Sequence, residues 1–465
     1  MAEQFSNQGG ASDSDPSALK RWLTSSIMTR LADPERVAQR RHRAERQRVK
    51  ANAPHQVEYF HQLNEGYSHL AVQLIEQLVS RYDITVNCHL VTSQHSANNP
   101  EPERLQALSF RDSERIAAGY RLSWPTQSKP LPSDVVETIA RCLTPLDGLA
   151  FAQTAVALET LAYSGDFAAF TEHATGLPQS SQADAKQRIA TGCQRLRELG
   201  HYSGAMFFYG GEWYWGVDRL MHLERRLQTL GLQRHDDKES PTGLIAPRPD
   251  IAEGPLRDSQ DLTLEIYPSL RSPYTALIFD RVCTFADTMN LKLSLRPVLP
   301  MVMRGVPATR QKGVYIFTDA AREARLQGLP YDRFYDPIGQ PVRNAYALYP
   351  WAEAQGHARE LLSEFFRAAF VDGLNLMRER NLRRVVEGAG LQWAEAKLHL
   401  QDRDWESLFE ANRLEMYQHD LWGVPTLRLL SAEGNPLCAV WGQDRLWVIA
   451  EAVQRELSRR QAVSA

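Results

Sequence analysis

The chain has 465 residues, of which 43% are hydrophobic and 23% are charged, and its formal net charge at pH 7 is −3. This length exceeds one ordinary hydrophobic core, so two to three domains are expected. The small net charge gives no general reason to expect nucleic acid or an acidic membrane as partner, and no apolar run approaches the ~20 residues of a membrane span.

The N-terminal region divides into a polar tail and a basic arm. Residues 1–16 are rich in Ser, Asp and Gly, which predicts a disordered tail without the apolar stretch of a signal peptide, and cytoplasmic residence is therefore expected. Residues 17–53 form a basic amphipathic arm, which Pro34 divides into two helices. A surface for anionic lipid or nucleic acid is one interpretation of this arm. We favour an arm laid across the following domain, because no aromatic residue interleaves the basic run.

The five cysteines are scattered along the chain, without a C-x-x-C motif or a paired spacing. This pattern argues against a disulfide framework, a zinc site and a dithiol redox centre. We therefore predict no metal site, and each cysteine is expected to be a small buried hydrophobic residue.

An internal repeat aligns residues 57–117 with residues 264–324 at an offset of 207, without a gap. Both segments open with an apolar strand, VEYF or LEIY, and continue through one helix into a second strand, ITVNCHLV or LKLSLRPV. Near the end of each copy, WGVDRL from Trp215 matches WGQDRL from Trp441. The repeat predicts two tandem copies of one domain, residues 54–232 and 261–460, joined by a polar linker at 233–260.

The second copy orders its elements as strand, helix, strand, a long helical section, a hairpin and a last helix. The run AEAQGHARELLSEFFRAAF from Ala352 is expected to be one amphipathic helix, and TLRLL and LCAVWG are expected to form the hairpin. A βαβ unit followed by a ββα unit is a thioredoxin-like arrangement. The predicted fold class is therefore α/β, with two tandem thioredoxin-like domains that each carry an inserted helical subdomain.

The second copy resembles a known family through four motifs: LEIYPSLRSPY, KGVYIFTDAAR, LWGVPTLRLL and WGQDRL. It resembles the DsbA-like branch of thioredoxin folds, and it is most similar to 2-hydroxychromene-2-carboxylate isomerases and kappa-class glutathione transferases. This resemblance implies glutathione as cofactor and an isomerase or transferase that acts on a small unsaturated or aromatic electrophile. Relatives of this family form homodimers, which suggests that the two repeats form an intramolecular pseudo-dimer.

Ser272 is the candidate catalytic residue. It opens the sequence Ser-Pro-Tyr-Thr where a strand turns into a helix, and the free N–H groups and the helix dipole there favour an anion such as a thiolate. Oxidoreductases of the fold hold the first cysteine of a C-x-x-C here, so a serine excludes dithiol exchange. The resemblance implies that Ser272 donates a hydrogen bond to the thiolate of glutathione. The alternative is an ordinary N-cap serine followed by proline.

Other contacts with glutathione follow from the resemblance alone. Pro425 would be a cis proline that faces the helix start, and Val424 would pair with the cysteinyl backbone of glutathione. Lys312 and Tyr315 match a K-x-x-Y segment in which the lysine meets a carboxylate, and Tyr274 belongs to the Ser-Pro-Tyr motif. A proline at the start of an edge strand and a solvated loop lysine remain as alternatives.

Gln443 and Asp444 precede the last helix and match the family's contact to the γ-glutamyl end of glutathione. An N-cap role for Asp444 is an equal alternative, because the first copy retains Asp218 at the matching position.

The first copy departs from the motif, with Glu65 opposite Ser272 and Leu105 opposite Lys312. A carboxylate at the helix start would repel a thiolate, so we infer that this copy has lost the site. This degeneracy leaves a second function open, a non-catalytic thioredoxin-like binding or scaffold protein. A DsbA-family oxidoreductase remains a description of descent only.

Overall fold

The computed structural model describes residues 15–93, 96–126, 128–234, 243–306, 309–331 and 333–464. Residues 1–14 of the predicted tail and residues 235–242 of the predicted linker lie outside the described residues. The chain divides into two compact units. One unit spans Ala38–Asp250, and the other combines the segment up to Val37 with the segment from Ile251 onward.

Two helices begin the described chain, α1 (Ala18–Ala32) and α2 (Pro34–Lys50). Ser17 caps α1 by accepting a hydrogen bond from the Lys20 N–H. The sequence favoured an arm that lies across the following domain, whereas α1 belongs to the C-terminal unit. The reason is a pair of contacts with a loop more than 300 residues away: Arg21 donates to the Asp336 carbonyl, and Ser25 accepts from the Asp336 N–H. No local sequence pattern can reveal these contacts.

The unit Ala38–Asp250 contains a four-stranded mixed sheet in the order β2-β1-β3-β4. Its strands are β1 (Gln56–Gln62), β2 (Thr85–Val91), β3 (Met206–Tyr209) and β4 (Glu212–Trp215). β1 pairs in parallel with β2 and antiparallel with β3, and β3 and β4 form a hairpin. The helices are α3 (Gly66–Val72), α4 (Ile75–Arg81), α5 (Pro102–Ile116), α6 (Ser133–Leu143), α7 (Gly148–Tyr163), α8 (Phe167–Thr175), α9 (Gln182–Glu198) and α10 (Gly216–Thr229).

The predicted single helix between β1 and β2 is two short helices, α3 and α4. The break lies at Gln73 and Leu74, where the Leu74 N–H donates to the Ala71 carbonyl in a tightened turn. The Gln73 side chain donates to the Ser123 carbonyl at 2.9 Å and accepts from the Ser123 N–H at 3.0 Å. This long-range pair holds the chain at the break.

The C-terminal unit contains a second mixed sheet, in the order β6-β5-β7-β8. Its strands are β5 (Thr263–Tyr267), β6 (Lys292–Leu295), β7 (Thr426–Leu430) and β8 (Pro436–Trp441). β5 pairs in parallel with β6 and antiparallel with β7, and β7 and β8 form the predicted hairpin. The helices are α11 (Pro273–Met289), α12 (Arg310–Leu326), α13 (Gln340–Ala354), α14 (Ala358–Phe370), α15 (Glu379–Gly388), α16 (Trp393–His399), α17 (Asp404–Gln418) and α18 (Leu446–Ser464).

The predicted single helix from Ala352 is interrupted. α13 ends at Ala354 and α14 begins at Ala358, because Gly356 adopts a left-handed conformation with φ +78°. The His357 N–H then donates to the Ala352 carbonyl at 2.8 Å, which is the hydrogen bond of a glycine helix stop.

The structure therefore confirms a mixed α/β fold with two four-stranded sheets. In each unit the parallel pair of strands is joined by a helical crossover, as parallel pairing requires. Between that pair and the closing hairpin, each chain segment inserts several helices. Among the described residues, no helix is long and apolar enough to cross a membrane.

Candidate functional site

Three segments of the C-terminal unit meet at one edge of its sheet. The pairing register sets Tyr267 at the end of β5 opposite Thr426 at the start of β7, and Thr426 opposite Trp441 at the end of β8. Ser272 follows Tyr267 by five residues, and Pro425 immediately precedes Thr426. The loop of residues 419–425, which ends at Pro425 and is called the proline loop below, leads into the sheet at this edge. The start of α11 and the turn before α18 lie at the same edge.

Ser272 is the N-cap residue of α11, and Pro273 occupies the first helical position. Its hydroxyl oxygen accepts a hydrogen bond from the Thr275 N–H at 3.2 Å. A hydroxyl that accepts one bond still has its proton to donate. Ser272 is half-buried, so its O–H group, together with the helix dipole, can stabilise an anion at this edge.

Thr275 follows three residues later and is fully buried. Its Oγ1 has no hydrogen-bond partner among the described residues. None of the three hydroxyl side chains of the Ser-Pro-Tyr-Thr motif can form a disulfide. The five cysteines are all free and lie elsewhere, four of them buried, and burial raises the pKa of Cys283 to about 12.

Lys312 lies in the first turn of α12, which Thr309 caps at 3.2 Å. Its Nζ lies 5.7 Å from the ring centroid of Trp422, within cation–π range. Burial lowers the pKa of Lys312 to about 8. Trp422 stands two residues before Val424, so Lys312 lies beside the proline loop. Sequence analysis missed Trp422, because the pair joins residues far apart in the chain.

A backbone hydrogen bond and side-chain packing both fix the position of the proline loop. The Val424–Pro425 peptide bond is cis, and the Gly442 N–H donates to the Pro425 carbonyl at 3.0 Å. Val424 packs against a buried cluster that includes Tyr267. The residue before it must be glycine, because a Cβ at Gly423 would collide with the indole of Trp441.

The two tyrosines predicted for the site lie on the neighbouring helices α11 and α12. The Tyr274 hydroxyl donates to Asp319 Oδ2 at 2.7 Å, and Asp319 is also paired with Arg322. Tyr274 therefore ties α11 to α12 through Asp319. Tyr315 is half-buried and lies one turn after Lys312 on α12.

Gln443 and Asp444 lie in the turn before α18, and both are buried. The Gln443 amide donates to Glu323 at 2.7 Å and accepts from the Gln327 side chain at 3.0 Å. Asp444 is paired with Arg445 at 3.2 Å. The structure thus brings Gln443 against α12, with both ends of its amide engaged by the protein.

Among the described residues, no group of three or more His, Cys, Asp or Glu side chains is placed to hold a metal ion. Ser272 places a hydroxyl at the start of α11, and Lys312 places an ammonium beside Trp422. A hydroxyl at a helix N-terminus and an ammonium group both suit an anionic ligand.

The C-terminal unit matches a known family. Residues 263–454 match the family described as the DSBA-like thioredoxin domain. A solved 2-hydroxychromene-2-carboxylate isomerase is similar at 21% identity, covering 44% of this chain and 99% of that chain, with a TM-score of 0.37. The cytosolic disulfide reductase DsbM from Pseudomonas aeruginosa is similar at 19% identity, covering 42% and 99%, with a TM-score of 0.34. No curated protein matches the sequence.

Proposed function

We propose that this chain, whose residues 263–454 belong to the DSBA-like thioredoxin domain family, binds glutathione at the start of α11. We further propose that it acts as a glutathione-dependent isomerase or transferase on a small unsaturated or aromatic electrophile. When bound, glutathione supplies a thiolate nucleophile for addition to a conjugated double bond or for displacement of a leaving group. The location is proposed to be cytoplasmic.

The observation that carries this proposal is the position of the Ser272 hydroxyl at the α11 N-terminus, on the same sheet edge as Val424. Ser272 would donate its proton in a hydrogen bond to the cysteinyl sulfur and so lower the thiol pKa. The peptide groups of Val424 would pair with the cysteinyl backbone. Lys312, as a half-buried ammonium beside this loop, would hold a carboxylate.

The fit is weaker at the γ-glutamyl end. Gln443 already uses both ends of its amide on Glu323 and Gln327, so it would need to exchange a protein bond for a ligand bond. Asp444 shares its carboxylate with Arg445. We therefore assign the γ-glutamyl contact to Asp444 and to the N–H groups that open α18, and we treat Gln443 as a support for that turn.

The test compares two variants that each lack a serine N-cap. Calorimetry measures the binding of glutathione to each variant and to the wild-type protein. Ser272→Ala and Ser181→Ala each remove an N-cap hydroxyl, from α11 and from α9 respectively. Each should lower the free energy of unfolding by about 1 kcal/mol. Only Ser272→Ala should raise the pKa of the bound thiol, followed by thiolate absorbance, by about one unit. Absence of glutathione binding to the wild-type protein would contradict the proposal.

A non-catalytic binding or scaffold protein is the second candidate function. It is favoured by the engagement of Tyr274 and Gln443 in contacts within the protein. Turnover separates the two candidates: the enzyme consumes a chlorodinitrobenzene or a conjugated enone faster than glutathione alone, and Ser272→Ala removes the excess. Tight glutathione binding without turnover of any such electrophile supports the scaffold.

We also propose that the two units arose by tandem duplication. At the repeat offset, Tyr67 donates to Asp112 at 3.0 Å and Tyr274 donates to Asp319 at 2.7 Å, so one interhelical bond recurs. Glu65 repeats the cap of Ser272, because its carboxylate accepts from the N–H three residues later at 2.7 Å.

A matching side-chain contact across the two parallel strands supports the same origin. Glu58 on β1 pairs with His89 at 3.0 Å, and Glu265 on β5 pairs with Arg296 at 3.2 Å. We propose that the repeats act as an intramolecular pseudo-dimer, so the chain should be monomeric at micromolar concentration in sedimentation equilibrium. A stable homodimer would contradict that proposal.

A further inference from the structure

Helix α1 buries two polar residues and exposes three large apolar ones. Its buried face carries Arg21 and Ser25, each only 2% exposed. Its outward face carries Leu19, Trp22 and Leu23, which are 71%, 54% and 50% exposed. Surface helices normally bury their apolar stripe, so an exposed apolar ridge on an anchored helix needs an explanation.

Polar bonds fix this orientation. Arg21 donates to the Asp336 carbonyl at 2.8 Å and to the Ile338 carbonyl at 2.5 Å, and the Asp336 N–H donates to Ser25 Oγ at 3.0 Å. Rotating α1 to bury its ridge would break these bonds and leave the Asp336 carbonyl and N–H groups of the loop without these partners. The ridge of Leu19, Trp22 and Leu23 therefore stays outward.

The helix that carries the ridge is positively charged. α1 contains no acidic residue, and its exposed cations are Lys20 and Arg30. Arg30 shares a helix face with Leu23, seven residues earlier. The exposed charged residues of α1 are therefore all basic.

We propose that the ridge of α1 binds the surface of a lipid bilayer that contains anionic headgroups. A tryptophan and two leucines on a convex ridge can enter the headgroup region, where tryptophan is favoured, while Lys20 and Arg30 remain among the phosphates. Charge complementarity selects the anionic bilayer.

Co-sedimentation of the full chain with vesicles tests the proposal. We expect binding to phosphatidylcholine vesicles that contain phosphatidylserine, and little binding to phosphatidylcholine alone. The double variant Trp22→Ser, Leu23→Ser should reduce partitioning by about tenfold or more. Leu398→Ser is the matched control, because Leu398 is 77% exposed on α16 and lies outside the ridge. It should bind like the wild-type protein.

A second double variant tests the contribution of positive charge to vesicle binding. Lys20→Gln with Arg30→Gln should weaken binding to the anionic vesicles by about tenfold, and added salt should do the same to the wild-type protein. Equal binding to neutral vesicles would overturn the proposal. So would a chain that ignores vesicles but forms a dimer, or binds an acidic helical peptide, in a manner abolished by the ridge variant. Glutathione binding is measured separately and does not decide this test.

Discussion

Arg271, the residue before Ser272, holds Asp336 through two parallel bonds, Nε to Oδ1 and Nη2 to Oδ2, both at 2.9 Å. The backbone of Asp336 is bound by α1 through Arg21 and Ser25. One aspartate thus connects the N-terminal helix to the start of the proposed glutathione site.

Replacing this aspartate should destabilise the C-terminal unit. Burial alone would raise the pKa of Asp336, but the Arg271 guanidinium holds it below its ordinary value. Asp336→Asn should lower the free energy of unfolding at neutral pH by about 2 to 4 kcal/mol, measured by urea unfolding.

Because a lowered carboxyl pKa contributes stability only above the unfolded pKa, this difference should shrink as the pH falls below about 4. Asp372→Asn breaks the more exposed pair with Arg384 and should cost less than about 1 kcal/mol. Equal losses in the two variants would contradict the special role of Asp336.

Lys312 should make glutathione binding depend on pH. Its pKa of about 8 keeps it mostly protonated at neutral pH, and the positive charge is lost as the pH rises above that value. Lys312→Met should therefore bind glutathione about tenfold more weakly near pH 7, and the difference from wild type should disappear above about pH 9.

The control for Lys312 is Lys397, whose Nζ lies 5.6 Å from the Trp393 ring on an exposed surface. Lys397→Met should leave binding unchanged at every pH. Stability gives a second readout with the opposite sign: a lysine with a lowered pKa disfavours folding at neutral pH, so Lys312→Met should raise the free energy of unfolding there. A constant difference in glutathione affinity across the pH range would contradict the assignment.

Glu65 should make the N-terminal unit less stable as the pH rises. Burial raises the pKa of Glu65 to about 7, although its carboxylate accepts a bond from the Ser68 N–H. The folded state therefore holds this proton more tightly than the unfolded state, and the stability it contributes is lost as the pH rises through about 7.

Glu65→Gln keeps a side-chain oxygen that can accept from the Ser68 N–H, but it removes the titratable carboxyl group. At pH 8 the variant should be more stable by about 1 to 3 kcal/mol, and below about pH 4.5 the difference should vanish. Glu172→Gln, at an exposed position of α8, should change stability little at either pH. A Glu65 variant that is less stable at pH 8 would contradict the sign of this prediction.

Gly423 should not tolerate even a methyl group. Gly423→Ala places a Cβ against the Trp441 indole and should cost about 1 to 3 kcal/mol. Gly313→Ala makes the same change inside α12, where the added Cβ meets no atom within 4 Å, and should raise stability by about 0.5 to 1 kcal/mol. Thermal unfolding of the two variants should therefore shift in opposite directions.

Much of the C-terminal unit is predictable from local patterns. The apolar run LEIY, the Ser-Pro helix start and the alternating strands of the hairpin each depend on neighbouring residues, and the structure places β5, α11, β7 and β8 where these patterns lie. Helix ends are harder to predict. The break at Gly356 depends on one left-handed residue inside an otherwise continuous amphipathic pattern.

The partners of the site residues could not be predicted in the same way. Gln443 meets Glu323 and Gln327, and Lys312 meets Trp422, across more than 100 residues of chain. A motif match identifies a residue type at a position. It does not show which buried neighbour already forms hydrogen bonds with that side chain. The engagement of Gln443 became visible only with the packing of α12.

The docking of α1 also constrains the order of folding. Arg21 and the Asp336 carbonyl are 315 residues apart in the chain, so α1 cannot dock until the chain has been synthesised as far as the loop that contains Asp336. The unit between them can fold first, and joining the two ends then closes a very long loop, which slows the final step. We expect α1 to be the last element to gain hydrogen-exchange protection during refolding, well after β1 and β2.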